Sequence, residues 1–549
     1  MTSTRPELHR APTGLARRSS PIAAAVAAAL GVAFAPFALA QDSGSAADLQ
    51  ALKGQIQQLQ KQLDRLQAQQ EQQAAKAAQA PQAVQAPTPP VPLAKAAPAD
   101  SNSPSFYAGP VKVTLGGFVE MMVINRNRNE SADWASNYNT SIPFPNSHNY
   151  SMSEFHLTER QSRLQALAQG PESEKWDTEA YVETDFGGAG GTANNNESSS
   201  FSPRVRHFYA DLTDKENGWY FLFGQTWSLV TAEKTGMSPR SENIVPVIDG
   251  QYVPGFSWLR VAQIRFVKKL GDIADFGVSL ENPAAQVTSN STTGAPALAS
   301  MFNNPGATNS YTAANNSTAT NISTDYLPDV IAKFSMDPGW GHYELFGIER
   351  FFRARNITAG AQNNVKSSGT GYGANVLLPV VPKYVDFQAG ILAGTGVGRY
   401  GSSQLPDATV NPATLGLQAI RGYQALVGFT VRPAPAWTLY AFLGKEQVDS
   451  QAYTVTVGAN TYGYGYGNAL FVNTGCETEG VGTCAANTSN IASGTVGGWW
   501  KAYQGTLGNL QIGVTDTYIK RHIFAGVGGD PTTNINIADV SFRYFPYQK

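Results

Sequence analysis

Residues 176–186 hold the densest set of chemically competent side chains in the sequence, with Asp177, Glu179, Tyr181, Glu183 and Asp185 at every second position. Trp176, Thr178, Ala180, Val182 and Phe186 fill the places between them. Successive side chains of a strand point to opposite faces, so four carboxylates lie together on one face and apolar groups on the other. Such a face can do acid–base work, hold a cation or line water. Other candidates are thinner. Gly396-Val397-Gly398-Arg399-Tyr400-Gly401 fits a GxGxxG pattern, but Ser-Ser-Gln-Leu-Pro follows it where a dinucleotide site needs a helix. His148, His156, His207, His342 and His522 have no metal-ligand spacing, and His342-x-Glu344 lacks the second histidine of a zinc motif. No metal and no cofactor is expected. Cys476 and Cys484, eight residues apart in a Gly/Asn/Thr-rich stretch, suggest a disulfide stapling a surface loop after export, against the alternative of two unlinked thiols.

The carboxylate face needs an element that makes water available to it. Of 549 residues only 15% are charged, while 11% are aromatic and 53 are glycine, a composition unlike that of a soluble enzyme. Beyond residue 40 no run of 18 apolar residues occurs, so a bilayer would have to be crossed by a closed barrel, which pairs every backbone polar group between strands. Residues 1–40 read as a secretory signal: Arg5, Arg10, Arg17 and Arg18 precede an apolar stretch from Ile22 to Phe37 and an Ala38-Leu39-Ala40 cleavage site. Without them the net charge moves from -2 to about -5, which argues against nucleic acid as a partner.

Residues 41–73 carry Leu49, Leu52, Ile56, Leu59, Leu63 and Leu66 on one seam of a short coiled coil, an element that self-associates; a frayed Gln/Ala-rich tether is the alternative. Residues 74–110 are an Ala/Pro/Gln-rich linker. From 111 to 549 the chain breaks into segments of about ten residues with alternating hydrophobicity. The expected strands are 112–125, 154–169, 175–187, 203–213, 218–226, 258–269, 272–282, 326–337, 340–354, 367–379, 384–395, 421–432, 436–448, 496–507, 509–523 and 534–547. Brief turns alternate with long polar loops, notably 283–325 and 449–495. The fold class is therefore all-β, a sixteen-stranded antiparallel transmembrane barrel in outer-membrane lipid, with both chain ends on the periplasmic side. Trp176, Trp219, Trp340 and Trp437 follow short turns and predict a periplasmic aromatic girdle; Trp227, Trp258, Trp499 and Trp500 fall at expected outer strand ends. By parity the lumen receives the bases Arg163, Arg265, Lys269, Lys333, Arg432 and Arg543 and the acids Glu120, Asp177, Glu179, Glu183 and Asp185.

The order of export signal, coil, Pro/Ala linker and sixteen strands, with Phe223-Gly224-Gln225-Thr226-Trp227-Ser228 leading into the third outer loop, resembles the DcaP-type trimeric porins of proteobacteria, and the strand motif Gln161-Ser162-Arg163-Leu164 is similar to one common in wider porin families. The resemblance implies a homotrimer that passes small hydrophilic solutes, with small anions such as dicarboxylates favoured. It also implies that loop 227–257 folds into the channel as its constriction, where Glu233, Lys234, Arg240, Glu242 and Asp249 supply fixed charge against oppositely signed wall residues. The chain departs from the pattern at its end, where Phe545 is followed by Pro546, Tyr547, Gln548 and Lys549 rather than closing on an aromatic residue. A plugged structural barrel whose coil spans toward the cell wall, and a barrel enzyme, stand as alternatives.

Overall fold

A computed structural model describes residues 104–547 and residue 61, apart from 133, 135–140, 172, 189–198, 289, 297–300, 303–324, 357–362 and 486. The chain divides at Val91/Pro92 into two units, and the second, Pro92–Lys549, holds all the described residues except Lys61. The expected signal at 1–40 and coil at 41–73 thus lie outside the described residues, residue 61 excepted.

The second unit is built on sixteen strands: β1 (Val111–Arg126), β2 (Glu154–Thr158 and Arg163–Gln169, one strand with an interruption), β3 (Trp176–Asp185), β4 (Arg204–Asp214), β5 (Trp219–Trp227), β6 (Arg260–Lys269), β7 (Ala274–Glu281) and β8 (Asp329–Met336). Then follow β9 (His342–Asn356), β10 (Asn363–Val381), β11 (Val385–Thr395), β12 (Arg421–Val431), β13 (Trp437–Val448), β14 (Thr488–Gly505), β15 (Gly508–Ile523) and β16 (Thr532–Phe545). Each is antiparallel to its sequence neighbour, and β16 pairs back onto β1 from Val119↔Tyr544 to Arg126↔Ile537. This is the sixteen-stranded closed barrel that the alternation predicts. Closure leaves no open edge, which is what a hydrocarbon surrounding demands. Residues Ser105–Ala108, within the expected linker, pair with Val111–Thr114 and so partner the stretch of β1 that lies before its ladder with β16 begins. Phe545 closes the β16 ladder opposite Asn509 and packs on Phe118 at 5.1 Å.

The two faces of each strand differ as the pattern requires. Along β1, Val119 and Met121 are exposed on the outside while Glu120 and Met122 are buried inside; along β3, Trp176 is exposed and Glu183 and Asp185 are buried. A basic side chain on the lipid face at mid-bilayer costs about 2–4 kcal/mol, so the charged parity is forced inward. Short turns close one end. The β6–β7 turn uses Gly271 at φ 76°, a left-handed conformation cheap only for glycine, whereas the β10–β11 turn places Lys383 at φ 72°.

Two expectations are corrected. β14 begins at Thr488, eight residues before the expected start. Its first turnless stretch reads as loop because Asn490, Ala492 and Gly494 alternate with Ile491, Ser493 and Thr495, and small residues on both faces give almost no hydrophobic contrast. Trp499 and Trp500 therefore lie toward the short-turn end, where Trp500 stacks on Trp437 with rings 5.8 Å apart. Trp227 is buried, packs edge-on against Trp258 and belongs to the interior. Trp176, Trp219, Trp340 and Trp437 are exposed at the short-turn end, and the girdle there stands.

Candidate functional site

The connection from β5 to β6 enters the barrel and is fastened around most of its inner wall. Its Thr231 carbonyl accepts a bond from Lys333 Nζ on β8 at 2.8 Å, and its Glu233 N–H donates to Glu344 Oε1 on β9 at 2.9 Å. Asn375 Nδ2 on β10 donates to Val230 O at 3.3 Å, and Gly255 N–H donates to Glu446 Oε1 on β13 at 2.8 Å. Trp499 Nε1 on β14 donates to Pro246 O at 2.7 Å, Ile248 N–H reaches Thr515 Oγ1 on β15 at 3.4 Å, and Arg543 Nη2 on β16 reaches Ile248 O at 3.3 Å. Arg126 on β1 bonds Tyr252 Oη. A loop that buries apolar groups such as Val247, Ile248, Tyr252, Val253 and Phe256 needs its backbone polar groups satisfied, and wall side chains do this.

Several expected pore charges prove to be fasteners. Lys333 and Arg265 are fully buried: Lys333 pairs with Glu344 at 2.8 Å, and Arg265 Nη2 donates to Trp227 O at 2.7 Å. Glu233, Glu242 and Asp249 were expected to face the channel, but each is under a tenth exposed. Glu233 and Glu242 sit across from each other in a two-residue bridge inside the loop. Burial pushes both carboxyls up, and for Glu233 the neighbouring Glu242 adds to the rise; burial also raises Asp249. The physical reason for this correction is packing: an inward-folded loop must turn some of its own polar groups away from water. Lys234 is exposed, and Arg240 reaches across to Glu179 on β3 at 2.6 Å. Lys269, Arg432 and Asp177 lie at the short-turn mouth, the last two paired with Asp386 at 2.6 Å and Lys215 at 3.4 Å.

Beside the fastened loop, on β16 and β1–β6, stands a cluster of charged side chains that the loop itself touches through Ile248 O and Arg543. Arg206 Nη1 and Arg204 Nη2 bond Asp185 Oδ2 at 2.9 and 2.7 Å, and Arg206 Nε also bonds Glu183. Arg163 lies 3.5 Å from Glu183, Arg543 lies 2.8 Å from Glu120, and Arg260 stacks on Trp227 at 4.6 Å. Arg260 is within electrostatic reach of Arg163, Arg204 and Arg206. Five guanidinium groups thus share three wall carboxylates. The side chains of Arg204, Arg163 and Arg543 remain 32, 24 and 15% accessible, so water meets these three, while Arg206 and Asp185 are only 4 and 1% accessible. Of the residues that parity assigns to the lumen, Arg543, Arg163, Glu120, Glu183 and Asp185 lie together in this cluster.

Arg204, Arg206 and Arg260 were missed. Between Glu183↔His207 and Thr184↔Val205 the β3–β4 register shifts, leaving Arg206 as an extra residue. Counting inward from Tyr209 would send Arg204 and Arg206 to lipid; the bulge reverses that parity. The only available clue was energetic, since two arginines on a lipid face would be too costly. Cys476 and Cys484 are joined by a disulfide in the β13–β14 connection, and this loop docks on the β1–β2 loop through Asn146 N–H to Cys476 O at 3.0 Å. Among the described residues no cluster of metal-ligating side chains occurs.

No protein-family model matches the chain, and no curated protein is similar to it in sequence. Among solved structures the chain is similar to the outer membrane channel DcaP of Acinetobacter baumannii, with a TM-score of 0.54 at 18% identity over 79% of this chain and 97% of that one. An anion-selective porin from Comamonas acidovorans matches with a TM-score of 0.41 at 10% identity, over 79 and 99% of the two chains. The chain therefore has the fold of a bacterial outer-membrane β-barrel channel. Its barrel is similar in fold to that of DcaP.

Proposed function

We propose that this protein is a porin of the bacterial outer membrane: a water-filled, non-enzymatic channel for passive diffusion of small hydrophilic solutes, favouring small anions such as dicarboxylates and assembled as a homotrimer. The observation that carries the anion preference is the water-accessible surplus of guanidinium groups on β2, β4 and β16 facing a loop whose own carboxyls are buried. Fixed charge of one sign in a narrow aqueous passage concentrates ions of the other sign. The likeness to DcaP supports a channel.

The test is a planar-bilayer reversal potential under a potassium chloride gradient. The expected result is conductance in steps of three with an anion-selective potential, and a shift toward cations in Arg163→Gln/Arg204→Gln. A cation-selective wild type would reject the preference. Electrical silence would favour a plugged structural barrel.

A further inference from the structure

The outward face of the barrel carries a polar site that the channel does not use. On β13 the outward positions are Leu439, Ala441, Leu443 and then Lys445, and on β15 they are Val514, Asp516, Tyr518 and then Lys520, with Asp516 accepting a bond from Asn536 Nδ2 at 3.1 Å. The apolar members of both series are exposed: Leu443 by 64%, Val514 by 55% and Tyr518 by 46%. The intervening residues face in, since Phe442, Glu446, Ile519 and Arg521 are buried. Lys445 is opposite Ala492 on β14, and Ala492 is opposite Lys520. The two lysines therefore stand at one level, two strands apart, roughly 10 Å between backbones at ~4.8 Å per strand. Ala492 and Gly494 between them leave an open saddle. On the next level toward the long loops, Asn490 and His522 are directly paired, and both lysines and Asp530 lie within electrostatic reach of His522. Among the described residues neither ammonium group forms an ion pair; Lys445 only sits 5.8 Å from the Tyr423 ring.

The height of the site selects the ligand. Trp437 and Trp500 mark the short-turn boundary on the same strands. Lys445 is eight residues further along β13 than Trp437, roughly 27 Å along the strand at ~3.4 Å per residue. At a ~40° tilt this is about 20 Å along the bilayer normal, near the far edge of an apolar band about 25 Å tall. There a lysine costs little and its ammonium reaches headgroups. A pair of cations without carboxylate partners, separated by small side chains and backed by an amide and an imidazole, suits a phosphate monoester on a lipid.

We propose that Lys445 and Lys520, across the Ala492 saddle, bind the phosphorylated headgroup of an outer-leaflet glycolipid. The experiment titrates the purified full-length protein in detergent micelles with bis-phosphorylated lipid A, reading bound lipid by native mass spectrometry. Lys445→Gln/Lys520→Gln is expected to weaken binding by about tenfold or more, given two headgroup-level cations. Lys445→Arg/Lys520→Arg is expected to retain it, and heat-modifiable migration on gels verifies that both variants fold. Millimolar inorganic phosphate should fail to displace the lipid. Unchanged affinity in the glutamine variant, or displacement by inorganic phosphate, overturns the proposal.

Discussion

The two sides of the barrel interior use the same side-chain types to opposite ends. Under the inward loop, Lys333, Glu344, His342 and Asp337 form a closed set in which Lys333 and His342 bond Glu344 at 2.8 and 3.0 Å and His342 bonds Asp337 at 2.8 Å. The lysine and carboxylates that remain bond backbone groups of Thr231, Glu233 and Gly236. Across the lumen, Arg163, Arg204, Arg206, Arg260 and Arg543 outnumber Glu120, Glu183 and Asp185, and several keep contact with water. A balanced cluster that is dry except for Asp337 at its edge holds structure, whereas an unbalanced one with three accessible guanidinium groups is left to meet a solute. The lesson is that charge type and lumen parity do not assign a role. Balance and solvent contact do.

Breaking the dry side should have the largest effect. Lys333→Ala leaves Glu344 buried without its ammonium partner, and loss of one member of a buried pair costs about 3–5 kcal/mol. The expected outcome is a lower temperature for loss of the compact gel form, together with larger and noisier single-channel conductance as the loop detaches. Normal conductance at normal stability would show that the loop is held without this cluster.

The wet side should answer in selectivity and not in stability. Arg163→Gln/Arg204→Gln should lower the anion-to-cation permeability ratio severalfold while conductance steps persist. Arg240→Ala breaks a partly exposed pair with Glu179, worth about 0.2–1 kcal/mol, and should shift the reversal potential only slightly.

The loop's buried acids give a pH dependence with a definite sign. Glu233 and Glu242 have raised pKa values in the folded loop, so the folded state holds their protons more tightly than the unfolded one. Their contribution is most favourable below the ordinary glutamate range and is lost as pH rises from there through the folded values. Channel conductance should therefore rise with pH as the loop loosens, and Glu233→Gln/Glu242→Gln should flatten that rise without changing ion selectivity at neutral pH. A shift of selectivity in this variant would mean that the two carboxyls face the solute after all.

The smallest effect on conductance is expected at the rim. Cys476→Ser/Cys484→Ser opens a loop of eight-residue separation, worth roughly 2–3 kcal/mol of chain entropy in the unfolded loop. Conductance should be unchanged, with the only difference a faster protease cut between residues 473 and 487.

Most of the barrel was determined by sequence alone. Period-two alternation, as in 176–186, forces a wet face and a lipid face whatever the partners are, and brief turns between long loops set the strand number at sixteen. That Glu120, Arg163, Glu183, Asp185 and Arg543 lie on the inward faces of their strands is legible in the alternation, because parity is a local property of the chain. What only the tertiary structure decided is which inward charges meet water. The β3–β4 bulge brought Arg204 and Arg206 inside, and the packed loop took Arg265, Lys333, Glu233 and Glu242 out of the channel. Both outcomes depend on contacts between residues far apart in the chain, where one extra residue or one covering segment reverses what local spacing prescribes.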